Sequence, residues 1–198
     1  MSQILLLQSS LNGPASRTNQ LMERFLQTRR EQGHQDQVVV RDLTALDLPV
    51  LDSPLFHALR GAEPANEAIR QAVALSDRLI AELKAADLLL IGAPMYNLNV
   101  PTPLKNWFDL VARAGVTFRY TDTYPMGLVE GVNALVFSSR GGVHQGQTTD
   151  AVTPYLQSVL GLMGIPVDFV YAEGMDLRPH GAEQGMREAH ARIADLGR

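Results

Sequence analysis

The sequence predicts a doubly wound α/β domain, a five-stranded parallel sheet with helices on both faces. Three observations carry that prediction. Short apolar runs without helical period occur five times, each about the length of a buried strand. Segments of helical period lie between them, which is the alternation that wraps a parallel sheet. The 198 residues hold no repeat, linker or low-complexity block, so a single domain over residues 1–198 is expected.

In chain order, the strand candidates are residues 4–7, 38–40, 88–91, 134–137 and 167–171. Their runs are apolar enough to be covered on both sides. The helix candidates follow from one-sided apolar spacing. Residues 19–32 keep Leu21, Phe25 and Leu26 together; residues 66–85 align Ile69, Val73, Ile80 and Leu83; residues 103–114 carry Leu104, Phe108 and Val111. Residues 152–163 and 186–196 behave alike. Five βα units fit the strand order 2-1-3-4-5 rather than the six strands of a full dinucleotide-binding sheet. In that order the first, third and fourth strands are neighbours, and the loops leaving their carboxyl ends share one rim.

Two insertions interrupt the alternation. Residues 47–65, with Pro49, Pro54 and Pro64, form an excursion long enough to cross the surface. Residues 116–131, "VTFRYTDTYPMGLVEG", begin with strict alternation and are expected to form a short hairpin arm.

Composition excludes several chemistries. The chain has no cysteine, so disulfides, thiolate nucleophiles, iron–sulfur clusters and Cys-ligated zinc are excluded and redox chemistry falls to a bound cofactor. Net charge is -4, with 17 Lys and Arg scattered along the chain, so no basic stripe offers itself to nucleic acid. His57, His180 and His190 lack ligand spacing, and no metal is expected. The N-terminal "MSQILLLQSSLNG" is too short to span a bilayer and has no basic leader. A protein of the cytoplasm, without membrane contact, is expected.

The three rim loops hold the polar residues. The first, "QSSLNGPASRTN", offers Ser9, Ser10, Ser16, Arg17 and Thr18 ahead of a helix, where unpaired N–H groups and hydroxyls can cradle a phosphate. A plain helix cap at Ser16 or Thr18 is the alternative. Neither G-x-x-x-x-G-K-[ST] nor G-x-G-x-x-G is present, against a nucleoside triphosphate or a Rossmann-type dinucleotide. The second loop, "GAPMYNLNVPTPLKN", is stiffened by Pro94, Pro101 and Pro103. From Met95 to Asn99 it can present backbone donors and acceptors to the edge of a flat heteroaromatic ring. Trp107 is expected in the core. The third loop, "SSRGGVHQGQTT", pairs Gly141 with Gly142, which lets backbone lie close to a ring. His144 follows as a group able to supply or relay a proton, or as an ordinary loop residue.

A resemblance rests on these same residues: "LLLQSS" with Ser9 and Ser10, "RDL" at 41–43, "APMYNLNVPTPLKNWFDLVARAGVTFRYT" at 93–121, "SSRGGVH" at 138–144, and "YLQSVLGLMGI" with "AEG" within 155–174. Over essentially its whole length the sequence resembles the bacterial FMN-dependent NADH-azoreductases, also described as FMN-dependent NADH:quinone oxidoreductases, of the flavodoxin-like superfamily. The resemblance implies a homodimer with one FMN per subunit at the interface. It places the FMN phosphate on Ser10, Ser16, Arg17 and Thr18. The ring would lie between Met95, Tyr96, Asn97 and Leu98 on one side and Ser139, Arg140, Gly141 and Gly142 on the other. Phe118 and Tyr120, in the hairpin arm, would line the substrate space from the partner subunit, with His144 nearby. Where Leu98 stands the family often has an aromatic, and the first loop varies at Arg17.

The activity implied is two-step: NADH or NADPH passes a hydride to the flavin, leaves, and a quinone or azo compound takes its place. A Gly141→Val substitution is then expected to loosen FMN by crowding the ring. The rival is a flavodoxin-type electron carrier without nicotinamide turnover. Carriers tend to be smaller and strongly acidic, and the hairpin arm with its aromatics speaks for a substrate pocket. A hydrolase would need the G-x-S-x-G turn or a metal cluster, and neither is in the sequence.

Overall fold

A computed structural model describes residues 1–196. Five strands form the main sheet: β1 (Gln3–Gln8), β2 (Gln37–Asp42), β3 (Leu88–Gly92), β6 (Asn133–Ser139) and β7 (Val167–Ala172). All pairings are parallel, in the order β2-β1-β3-β6-β7. A two-stranded antiparallel hairpin, β4 (Phe118–Arg119) and β5 (Met126–Gly127), stands apart from it. The helices are α1 (Arg17–Glu31), α2 (Ser53–Ala58), α3 (Glu67–Ala85), α4 (Thr102–Val111), α5 (Val152–Met163) and α6 (Gly181–Leu196).

Alternation along each strand divides the core in two, because successive side chains point to opposite faces. Leu5, Leu7, Leu89, Ile91, Ala134 and Val136 join Leu79, Leu83, Trp107, Phe108, Leu156 and Leu160 of α3, α4 and α5. Ile4, Leu6, Leu90, Leu135 and Phe137 join Leu21, Met22, Phe25, Ala189 and Ile193 of α1 and α6. Trp107 is wholly buried, as its place in the apolar spacing of α4 requires.

The expectation of strands covered on both faces fails at β2. Val38, Val39 and Val40 are 37%, 40% and 48% exposed, and none belongs to either core cluster. β2 is an edge strand, and its apolar run does not distinguish it from the central ones. Two helices also differ from expectation. The excursion over residues 47–65 contains α2, capped by Asp52, whose carboxylate accepts from the Leu55 N–H at 2.9 Å, with a proline in the first turn. α6 begins at Gly181, five residues before the periodic stretch, because Gly181 and Gly185 lie where β-carbons would overlap the carbonyl oxygens of Gly174 and Glu173. Two glycines weaken a helical signal and permit a close helix approach together.

Candidate functional site

The carboxyl ends of β1, β3 and β6 lie side by side, and direct bonds tie their loops together. Tyr96, in the second loop, reaches into the first: its hydroxyl accepts from the Leu11 N–H at 3.1 Å and shares a hydrogen bond with Ser10 Oγ at 3.2 Å. The Met95 N–H donates to the Ser139 carbonyl at 2.9 Å, joining the second loop to the third. Ser9 donates its hydroxyl to the Gly92 carbonyl at 2.6 Å beneath them.

In the first loop, a 3-10 turn (Gly13–Ala15) leads into α1. Ser16 is the N-cap: its Oγ accepts from the Asn19 N–H at 3.1 Å and pairs with Thr18 Oγ1 at 3.1 Å. Both hydroxyls are fully buried, whereas the Arg17 side chain is exposed. The N–H groups of Arg17 and Thr18 meet no acceptor among the described residues, and Asn19 Oδ1 is buried without a partner. The helix start thus combines a cap with free donors, the arrangement that receives an anion.

The second loop is a tight reverse turn. Tyr96 and Asn99 exchange backbone hydrogen bonds of 2.9 and 3.0 Å, and the residues between them, Asn97 and Leu98, have φ of 49° and 65°. Two consecutive left-handed residues define the primed turn that usually takes Asn-Gly. A leucine there is strained, and such strain concentrates at functional sites. Asn97 and Leu98 are exposed, and their N–H groups have no acceptor among the described residues.

The third loop is held from below. The N–H groups of Met175, Asp176 and Gly174 donate to the carbonyls of Arg140, Gly141 and Gly142 at 3.0, 3.0 and 2.9 Å. Those carbonyls therefore turn toward the β7–α6 loop, and the N–H groups of Gly141 and Gly142 find no acceptor among the described residues. Arg140 holds the turn with its side chain rather than offering it to a ligand. Its guanidinium is buried, 3.0 Å from Asp150 Oδ2 and 3.3 Å from Glu173 Oε1, donates to Thr153 Oγ1 at 2.8 Å and to Ser138 Oγ at 3.2 Å, and lies 4.7 Å from the Tyr171 ring centroid. Burial pushes the Asp150 carboxyl up, but bonds from Arg140 and Thr153 outweigh it and hold it below the ordinary carboxylate range. A β-carbon on Gly141 would overlap the Asp176 carboxylate, so the protein wall, not only a ring, crowds the Gly141→Val variant. The space beside Gly142 is taken by His144, whose Nε2 would be 2.8 Å from a β-carbon there and whose Nδ1 pairs with Thr149 Oγ1 at 2.8 Å.

The hairpin and α2 enclose a separate cleft of about 110 Å³ lined by residues including Phe56, Arg60, Arg113 and Phe118. Phe118 is buried and meets Tyr120 edge-on at 5.5 Å, while Tyr120 is exposed and 3.4 Å from an Arg60 nitrogen. Arg60 in turn stacks on Phe56 at 4.4 Å. Phe56 was not legible as a lining residue because α2 was not. Among the described residues no group of three or more His, Asp or Glu is placed to hold a metal ion, and no helix is long and apolar enough to cross a membrane.

A parallel sheet in this order with free donors at the ends of its first, third and fourth strands defines a flavodoxin-like protein. The flavodoxin-like fold family matches residues 2–196, and the chain belongs to it, among the FMN-dependent NADH:quinone oxidoreductases. Relatives of that name are 66% identical in Burkholderia lata, over 99% of both chains, and 52% identical in Aeromonas salmonicida, again over 99% of both. Among solved structures, an azoreductase from Bacillus anthracis superposes with a TM-score of 0.87 at 28% identity, over 100% of this chain and 99% of that one. The azoreductase AzrA superposes with a TM-score of 0.88 at 27% identity, over 99% of each.

Proposed function

We propose that this protein is a single-domain, FMN-dependent NAD(P)H oxidoreductase that reduces quinones and azo compounds at one shared site. The observation that carries the reading is the convergence on one rim of N–H groups without protein acceptors: Arg17 and Thr18, Asn97 and Leu98, Gly141 and Gly142. A flat anionic ligand with acceptors along its edge matches that set. Donors at the start of α1, the exposed Arg17 guanidinium and the hydroxyls of Ser10, Ser16 and Thr18 would take the phosphate. Ser16 and Thr18 contribute chiefly by fixing the helix start, being bonded to one another.

The turn at Asn97 and Leu98 would meet one edge of the ring, with Met95 and Tyr96 giving apolar area beside it. Ser139, Arg140, Gly141 and Gly142 would meet it through backbone. FMN, when bound, supplies the hydride chemistry. The protein's part is to hold it, keep one face open and align a second ligand. In its own subunit Phe118 lines the cleft apart from the rim, so the hairpin of a second subunit would bring Phe118 and Tyr120 to that ligand as aromatic area, with His144 or Tyr120 supplying a proton. Exposed Leu11, Leu98, Val143, Leu177, Tyr120, Tyr124 and Met126 crowd the rim and the hairpin, which supports a homodimer closing over the site. A cytoplasmic location, without membrane or nucleic-acid partners, accompanies this reading.

The test is an anaerobic titration of the FMN-loaded protein, sized by light scattering, with NADH and separately NADPH, then with a benzoquinone and an azo dye. Bleaching of the flavin absorbance by a nucleotide and recovery with an acceptor is expected. Bound flavin that no nucleotide reduces would replace the enzyme by the electron carrier.

A further inference from the structure

Glu173 directly follows β7 and faces the third loop from beneath. One of its oxygens, Oε1, accepts from the N–H groups of His144 and Gln145, both at 2.8 Å, and lies 3.3 Å from Arg140 Nη1. Oε2 takes part in no hydrogen bond among the described residues. The side chain is 13% exposed, and its backbone is fixed from behind. Gly181 and Gly185, one helical turn apart on α6, lie so close to the carbonyls of Gly174 and Glu173 that a β-carbon on either would overlap them. The next three N–H groups of the chain hold the carbonyls of residues 140–142. A rigid path therefore runs from the glycine face of α6 through Glu173 to the turn that carries Gly141 and Gly142.

We propose that Glu173 is a positioning residue, whose carboxylate oxygen sets the pitch of the Arg140–Gln145 turn and so aims the Gly141 and Gly142 N–H groups at the FMN ring. The proposal rests on the FMN reading above. It makes reach, not charge, the property that matters. Arg140 keeps Asp150 as a counter-ion at 3.0 Å whatever stands at position 173. A glutamine puts its carbonyl oxygen where Oε1 is and its amide nitrogen at the unbonded Oε2 place. An aspartate keeps the charge and falls one methylene short.

The experiment compares Glu173→Gln, Glu173→Asp and Glu173→Ala with the unaltered protein. The readouts are the FMN dissociation constant, the visible spectrum of the bound flavin, and amide hydrogen exchange at His144 and Gln145 without FMN. Glu173→Gln is expected within about threefold of the unaltered dissociation constant, with its spectrum and amide protection. Glu173→Asp and Glu173→Ala are expected to weaken FMN about tenfold or more, the loss of two backbone hydrogen bonds, with spectra shifted toward free FMN and both amides exchanging faster. If Glu173→Ala does not fold, the Gln and Asp pair decides. The proposal is overturned if all variants bind alike, or if Asp preserves binding and Gln does not. An unaltered protein that fails to bind FMN would instead overturn the reading on which the proposal stands.

Discussion

Leu98 is the residue at which local preference and position conflict most directly. Its φ of 65° is adopted readily by glycine and asparagine and costs other residues about 1–2 kcal/mol. It is 45% exposed in the single chain, so packing within the chain does not offset that cost. Leu98→Asn should therefore raise the free energy of unfolding by about 0.5–1 kcal/mol, read from urea titration without FMN; a loss of stability would mean that the leucine packs in a way its exposure does not suggest. Sequence alone marked Asn97 and its neighbours as a functional turn, because prolines, asparagines and a tyrosine crowd the end of a strand. It left the handedness of the turn open, since leucine is the last residue such a turn would choose. Arg140 shows the opposite case. A basic residue in a ligand loop suggests a ligand contact, and only its distances to Asp150 and Glu173, far away in sequence, reveal an internal support.

At the scale of elements, the hairpin depends on one glycine. Gly127, on β5, faces the end of α5 so closely that a β-carbon would overlap backbone atoms of Met163 and Gly164. Backbone on both sides leaves no flexible side chain to yield. Gly127→Ala should destabilise the protein by about 1–3 kcal/mol or lift the hairpin from α5, measured by urea titration and by near-ultraviolet circular dichroism of the hairpin tyrosines; an unchanged midpoint and spectrum would show that this contact is looser than described. Helices with regular apolar spacing were legible closely: α5 spans residues 152–163, as its pattern predicts, while α4 ends at Val111, three residues short of the expected 114. α2 and the start of α6 were not, because a six-residue helix is too short for periodicity and the glycines of α6 serve its neighbours rather than its propensity.

For the whole molecule, acid sensitivity follows from two ion pairs, one half-buried and one buried. The Arg29 guanidinium, 2.6 Å from Asp36, holds that carboxyl below its ordinary range, and Arg140 with Thr153 does so for Asp150 against the pull of burial. Depressed carboxyls contribute stability that is fully present above their unfolded value, about 3.9, and lost as pH falls through the folded value. The urea midpoint should therefore hold from pH 7 to about 5 and decline below about 4, with a shallower decline in Asp36→Asn; equal slopes would remove Asp36 from the account. The strand order was legible because five alternating units leave few topologies. The exposure of β2 was not, since apolar runs carry no record of which strand lies at an edge. Quinones are electrophiles that arylate soft nucleophiles, thiolates foremost. This chain has no cysteine, and its lysines are Lys84 and Lys105 alone. Lys84 donates to the Val116 carbonyl at 2.8 Å and Lys105 is bound to Asp109 at 2.6 Å. The protein thus meets a quinone without a thiolate and with both lysine amines engaged, leaving the His144 imidazole as the nearest nucleophile.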